Sequence, residues 1–226
     1  MLQSLVFSLI LTLSFQAFSE SSFDHDQFTI GSITIKEIDG PEAVDGDFND
    51  KNVVAAIGEV IGVVDSMIAL GKKIYPIIEA GKPVLSSDLP VTHVLPKKED
   101  VSDYDLTLGM MENWQFPKSK SYKVVYNNIY GMEVISFTYT VHFQYGGSFE
   151  GKGKYLTGVF VSARDLTVAW GFDFSASTEV VTVTNMGSME NPVAGLSLKL
   201  SWTVKTPIME NQSSRVFHVA GDGRIQ

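Results

Sequence analysis

The chain of 226 residues contains no cysteine. This absence excludes disulfide bonds, thiolate metal sites and a lipid-modified cysteine. Secreted proteins commonly contain disulfides, so a cysteine-free exported protein of this size is more typical of bacterial secretion.

Basic residues are few. The sequence has 17 Lys and Arg residues against 26 Asp and Glu residues, which gives a net charge of −9 at pH 7. Residues 20–50 alone contain nine of the acids and one base, so this segment carries −8 of that charge. No basic patch is present, and we therefore do not expect nucleic acid as a partner. Strong attraction to anionic lipid is equally unexpected.

Sequence motifs for catalysis and for cofactors are also absent. The chain has no His-Glu-x-x-His pair, no Gly-x-Ser-x-Gly elbow and no glycine-rich phosphate loop between a strand and a helix. We therefore expect no catalytic residue, no cofactor and no enzymatic activity. A hydrolase whose site assembles only in the folded chain is a third alternative for the function.

One segment, DGDFND, has oxygen-bearing side chains at alternate positions, as at the start of a calcium loop. These side chains are Asp45, Asp47, Asn49 and Asp50. An EF-hand loop needs Gly at its sixth position and Glu at its twelfth, and here those positions are Asp50 and Ala56. The EF-hand is therefore rejected. Capping of a following helix explains the same residues, which remain candidates for another kind of metal site.

The N-terminal residues have the pattern of a secretory signal. No charged side chain precedes Glu20, and an apolar run from Leu5 to Phe15 is followed by the small-x-small pattern Ala17-Phe18-Ser19. This pattern predicts a signal peptide cleaved near Ser19 and a secreted or periplasmic protein. The run is too short for a comfortable membrane span.

A long apolar stretch, VVAAIGEVIGVVDSMIALGKKIYPIIEAG, follows the acidic segment. Placed at helical intervals, its large aliphatic side chains fill one half of a cylinder, and small and charged residues fill the other. The pattern predicts an amphipathic helix over 52–81 that ends or kinks at Pro76. Charged residues from Glu59 to Lys73 interrupt every uncharged run, which excludes a conventional transmembrane span.

The apolar face of this predicted helix must be buried against another surface. We expect it to pack against the β-structure, and a second protein chain or lipid are the alternatives. The residues that would contact a partner or a membrane are Ile57, Val60, Val64, Met67 and Ile68.

The second half of the chain alternates between apolar and polar residues, as half-buried antiparallel strands do. The clearest stretches are ISFTYTVHFQY (135–145), LTVAWGFDFSA (166–176) and VAGLSLKLSWTVK (193–205). Weaker patterns occupy residues 121–129, 154–162, 179–185 and 214–220. Near the N-terminus, FTIGSITIKEI (28–38) predicts a strand with a bulge at Gly31-Ser32.

These patterns predict a mainly β protein. We expect an antiparallel β-sandwich of about eight strands with one long N-terminal amphipathic helix packed against it. The predicted order is a signal peptide (1–19), an acidic segment with one strand (20–51), the helix (52–81), a proline-rich surface connection (82–103) and the sandwich domain (104–226).

Aromatic residues make up 11% of the chain, and most fall in the apolar phase of their strands. Trp170 and Trp202 are among these, and we expect them in the core. Trp114 and Tyr130, the second beside a turn at Gly131, are the candidates for exposed rings that contact a sugar or a lipid headgroup.

Together these features predict an exported, non-enzymatic sandwich that binds a protein, glycan or lipid ligand at or beyond the cell envelope. Oligomerisation and peripheral membrane contact are left open. The alternative is a membrane-perturbing protein that uses helix 52–75, a layout similar to that of actinoporin-type pore formers.

Overall fold

A computed structural model describes residues 24–38, 58–97 and 104–226. Several sequence predictions lie outside these residues: the signal peptide, its cleavage site, the metal candidates Asp45, Asp47, Asn49 and Asp50, and the partner-binding candidate Ile57.

The described residues are mainly β-structure, as predicted. They form twelve strands, two short 3-10 helices and one short α-helix. In chain order these are η1 (His25–Phe28), β1 (Ile30–Ile38), β2 (Glu59–Val64), β3 (Met67–Gly71), β4 (Ile74–Glu79), β5 (Lys82–Pro83), η2 (Ser86–Asp88), β6 (Thr92–Pro96), α1 (Tyr104–Gly109), β7 (Lys118–Asn128), β8 (Glu133–Phe149), β9 (Lys152–Val168), β10 (Asp173–Asn185), β11 (Ala194–Lys205) and β12 (Glu210–Ala220).

Two antiparallel sheets form the predicted sandwich. One has seven strands in the order β1-β7-β8-β9-β6-β3-β2, and the other has five in the order β12-β11-β10-β4-β5. Strands from the first hundred residues belong to both sheets, so the sandwich is larger than the predicted eight strands and is not confined to residues 104–226. The pairing of β1 with β7 shifts register between Ile30 and Ser32, which confirms the predicted bulge.

The core lies between the sheets and follows the alternation of the long strands. In β8, Phe137, Tyr139 and Val141 are fully buried on the inner face. The polar residues Ser136 and Thr138 between them are buried as well, on the outer face of the same strand. The centre of the seven-stranded sheet is therefore covered on both sides.

The long helix predicted over 52–81 is wrong. Residues 59–79 form strands β2, β3 and β4 instead, with a turn at Asp65-Ser66 between the first two. Every residue of β3 is buried, because both faces of this strand are covered. A strand of that kind has no polar phase, so its period cannot be separated from that of a buried helix.

The small residues and the proline of this stretch have specific places in the sheets. A Cβ on Gly58 would overlap the backbone of Gly71, and a Cβ on Gly62 would lie 3.9 Å from the Val183 side chain of β10. Pro76 lies in β4 opposite Ser177, on a part of the strand that has no described strand on its other side. Proline is tolerated in a sheet at such an edge position.

The correction removes most of the helix-based binding candidates. Met67 and Ile68 are buried, and Val64 packs against the core. Val60 is 49% exposed, but it lies on a strand. The hypothesis that a helix 52–75 enters a membrane therefore has no basis in the described residues.

The predicted surface connection 82–103 is also partly wrong. It contains β5, η2 and β6, and all five residues of β6 are buried. β6 lies between β3 and β9 in the seven-stranded sheet, and both of its faces are covered.

Two-residue turns close the β4–β5 and β8–β9 hairpins. In the second, Glu150 and Gly151 both have positive φ, 50° and 71°. Left-handed backbone suits Asn better than Glu, and Asn-Gly is the preferred pair for such a turn.

We expect Glu150→Asn to raise the free energy of unfolding by about 0.5–1 kcal/mol in urea titration. Glu133→Asn, outside a left-handed position, is the control; equal effects of the two changes would contradict the prediction.

Two buried histidines predict sensitivity to acid. Burial lowers the pKa of His93 and of His142 to about 4. The Nδ1 atom of His93 lies 2.8 Å from Thr157 Oγ1, and the His142 ring stacks on Phe160 at 4.5 Å.

The pKa of an unfolded histidine is about 6.5, so the unfolded chain binds more protons between that pH and about 4. Above pH 6.5 both histidines are neutral in the folded and the unfolded chain, and proton binding does not reduce the stability of the fold. As the pH falls from 6.5 to about 4, the unfolded chain binds protons that the folded chain does not, and stability is lost. We expect each histidine to lower the free energy of unfolding by about 1.4 kcal/mol per pH unit in this window. Urea titrations of His142→Gln at pH 7 and pH 5 should show a shallower dependence than the wild type. An unchanged slope would contradict the prediction.

Candidate ligand-binding site

Three segments meet at one end of the sandwich. They are η1 with Asp24 before it, the turn 129–132 between β7 and β8, and the turn 169–172 between β9 and β10. The Ile129 amide donates to the Thr29 carbonyl at 3.0 Å, and the Ala169 amide donates to the Val134 carbonyl at 2.8 Å. We call the side chains of Asp24, Asp26, Phe28, Tyr130 and Trp170 at this place the aromatic end.

Trp170 is the most unusual residue of the aromatic end. Its side chain is 85% exposed, although a tryptophan gains much from burial. Phe28, which is buried, supports the indole with its ring at 6.2 Å and an angle of 54° between the ring planes. Phe28 also contacts Phe172 at 5.8 Å, so the support belongs to the core. The indole therefore projects from a firm base and leaves most of its surface to solvent.

Gly171 fixes the course of the turn that carries Trp170. Its φ is +82°, and a Cβ at this position would overlap the Phe28 ring. Any larger residue would suffer both backbone strain and this overlap. The close approach of the turn to Phe28 thus depends on glycine.

Tyr130 provides a second exposed ring, at 55% exposure. Its hydroxyl lies 3.4 Å from both carboxylate oxygens of Asp24. Partial burial raises the pKa of the Tyr130 phenol, and the carboxylates of Asp24 and Asp26 raise it further. The Tyr130 hydroxyl therefore lies beside the carboxylate of Asp24 and can donate to it.

Asn128 connects the turn of Tyr130 to η1. Its side chain is buried, and its Oδ1 atom accepts from the amides of Tyr130 and Met132 at 3.1 and 3.0 Å. Its Nδ2 atom donates to the Gln27 carbonyl at 3.2 Å. One amide side chain thus shapes the turn and holds it against the neighbouring segment.

The aromatic end has hydrogen-bond acceptors but no strong cation in its three segments. Asp24 and Asp26 are exposed, and neither Lys nor Arg occurs within residues 24–30, 128–132 or 169–172. His25 is the one basic side chain among them. Anionic ligands are disfavoured at such a surface, whereas hydroxyl and amine donors are favoured.

The structure separates the two aromatic candidates from the sequence. Tyr130 is part of the aromatic end, whereas Trp114 packs against Gly147, at the other end of β8. Val60, Val64, Met67 and Ile68 belong to β2 and β3, at the far edge of the seven-stranded sheet from β1.

Sequence reasoning missed Trp170, because the alternation of 166–174 continues in phase through a turn. β9 ends at Val168 in one sheet and β10 begins at Asp173 in the other, so Trp170-Gly171 lie in the turn that connects the two sheets and not in the middle of a strand. The Trp-Gly pair is the signal that could have marked this turn.

Within residues 24–38, 58–97 and 104–226, no group of three or more His, Asp or Glu side chains is placed to hold a metal ion. None of the helices in these ranges is long and apolar enough to cross a membrane.

Comparison with known proteins adds no further assignment. No protein-family model matches the sequence, and neither the curated proteins nor the solved structures gave a match.

Asn128 gives a test of how this end is built. Asn128→Ala removes three hydrogen bonds, from the Tyr130 and Met132 amides and to the Gln27 carbonyl, which should lower the free energy of unfolding by about 2–3 kcal/mol. Asn128→Asp keeps both acceptor bonds but places a carboxylate oxygen against the Gln27 carbonyl, so we expect it to destabilise as well. Urea titration measures both changes. Asn127→Ala, which removes one surface contact of 3.5 Å to Ser32, is the matched control. Equal stability of Asn128→Ala and this control would refute the assigned role.

Proposed function

We propose that the protein is an exported, non-enzymatic binding module and that the aromatic end binds carbohydrate. The observation that carries the proposal is the exposed Trp170 indole on its Phe28 base. The apolar N-terminal pattern and the absence of cysteine support export into a bacterial envelope or beyond.

The chemistry of a sugar fits this surface. A pyranose ring has an apolar face of C–H groups that stacks on an aromatic ring, and hydroxyl groups at its edge that need acceptors. Trp170 and Tyr130 offer the rings, and Asp24 and Asp26 offer carboxylate oxygens close to Tyr130. Both kinds of contact are present without a rearrangement of the backbone.

Other classes of ligand fit less well. A phosphate-bearing lipid headgroup would meet the carboxylates of Asp24 and Asp26 without a Lys or Arg from these segments to balance them. Ile129 and Met132, 48% and 54% exposed, add apolar surface that a protein partner could also use. A stable protein interface needs about 800 Å² on each partner, which is far more than two rings and two aliphatic side chains provide.

We assign binding and not hydrolysis to this site because its carboxylates are exposed on a short 3-10 helix. A hydrolase holds its acid and base in a cleft around the scissile bond, where water is controlled. Asp24 also has a structural task, since its side chain accepts from the Asp26 amide at 3.1 Å.

Trp170→Ala is the direct test of the proposal. We expect it to weaken sugar binding by roughly tenfold or more, as loss of a central tryptophan contact does. Binding to a panel of immobilised glycans selects the ligand, and titration of tryptophan fluorescence measures its affinity. Trp202 is buried and Trp114 is partly buried, so the change on binding should come from Trp170.

Phe116→Ala is the matched control, because this ring is 93% exposed before β7, at the opposite end of the sandwich. Equal loss of affinity in the two variants, or none in Trp170→Ala, would show that the aromatic end is not the site.

A further inference from the structure

The five-stranded sheet has a shallow depression of about 200 Å³. Half of its lining carries hydroxyl groups: Ser175 and Ser177 from β10, and Ser201 and Thr203 from β11. The other lining residues are Pro76, Ile78 and Glu79 from β4 and Ala176 from β10. A large side chain at one of the four hydroxyl-bearing positions would fill the depression.

Strand register brings the four hydroxyl-bearing side chains together. Ser177 lies opposite Ser201, and Ser175 lies opposite Thr203. Facing residues on one side of a sheet have Cβ atoms about 5 Å apart, so the four form a compact patch. Pro76, opposite Ser177 on the other side, limits the patch with an apolar ring.

These four hydroxyl groups form no side-chain hydrogen bond with the described part of the protein, in contrast to Ser121 and Thr140, whose hydroxyls pair with each other at 2.8 Å on the other sheet. Each hydroxyl can both donate and accept. The patch therefore offers several hydrogen-bonding groups of both kinds to a ligand on the sheet.

β10 connects the patch to the aromatic end without a break. The strand begins at Asp173, directly after the turn of Trp170, and its exposed face carries Asp173, Ser175 and Ser177 in succession. At about 3.4 Å per residue, Asp173 and Ser177 are roughly 14 Å apart. A ligand stacked at the end of the sandwich could thus extend along this face.

We infer that the ligand is a neutral oligosaccharide that extends from Trp170 along β10 to the hydroxyl patch of Ser175, Ser177, Ser201 and Thr203. This inference rests on the proposed carbohydrate-binding function and names the class of sugar. Glu79 is the charged residue in the lining, and no Lys or Arg lines the depression. Lys205 lies opposite Asp173 on the way to the depression, but its ammonium group is paired with Glu210 at 3.2 Å. Uronic acids and sulfated sugars are therefore disfavoured, whereas a chain of neutral sugar units supplies hydroxyl groups along its whole length.

Affinity as a function of chain length tests the inference. The probes are neutral gluco-, manno- and N-acetylglucosamine oligosaccharides, from monosaccharide to hexasaccharide, titrated by calorimetry. We expect affinity to rise with length in the wild-type protein. The double change Ser177→Val and Ser201→Val should lower the affinity for the hexasaccharide roughly tenfold and leave the short sugars unaffected, because two hydrogen-bonding groups are lost. Ser119→Val, on the exposed outer face of β7, is the matched control.

A second double variant separates the loss of the hydroxyl groups from the larger volume of the valine side chains. Ser177→Ala with Ser201→Ala removes the hydroxyls without filling the depression and should act in the same direction. Wild-type affinity that does not depend on length, or full hexasaccharide affinity in both double variants, overturns the extended site. In that case a loss in Trp170→Ala still supports the aromatic end. Failure of every sugar to bind overturns both proposals.

Discussion

Aromatic rings from the two sheets pack against one another in the core. This contact determines which side chains of each strand point inward and which point outward. Phe137 of β8 lies 4.8 Å from Phe174 of β10 and 5.9 Å from Trp202 of β11, measured between ring centres. The Trp202 indole also donates a hydrogen bond to the Tyr126 hydroxyl of β7. Because successive side chains of a strand point to opposite faces, these inward rings fix the outward direction of their neighbours. The serines of β10 and β11 are therefore held on the outer face by the core beneath them.

The aromatic end extends the same contact to the edge of the molecule. Phe28 is buried and packs against Phe172, the residue that directly precedes β10. Trp170, two residues earlier, meets Phe28 from outside. The exposed indole is thus supported by the core without being part of it, and the close approach depends on Gly171, which has a positive φ and no Cβ to overlap the Phe28 ring. Asn128 plays the corresponding part for the turn of Tyr130.

The sequence predicts strands well where one face is polar, as over 135–145, and fails where both faces are covered. β3 has only buried residues, so its apolar pattern fits a helix and a strand equally. The alternation predicts a buried Trp170 because it passes through the β9–β10 turn in phase. The role of Asn128 depends on the neighbouring segment η1, more than a hundred residues away in the chain. No local pattern contains such a contact.

β10 links the two parts of the proposed ligand surface, and its position in the sheet determines how they behave. It pairs with β11 along its whole length and with β4 near its start, so Ser175 and Ser177 lie on paired backbone. Trp170 precedes the same strand on a turn of four residues anchored by Phe28. Side chains on such a support need little ordering when a ligand binds, and this lowers the entropic cost of association. An open sheet face of this kind can therefore bind an extended chain through few contacts, provided that these contacts lie in line along one strand.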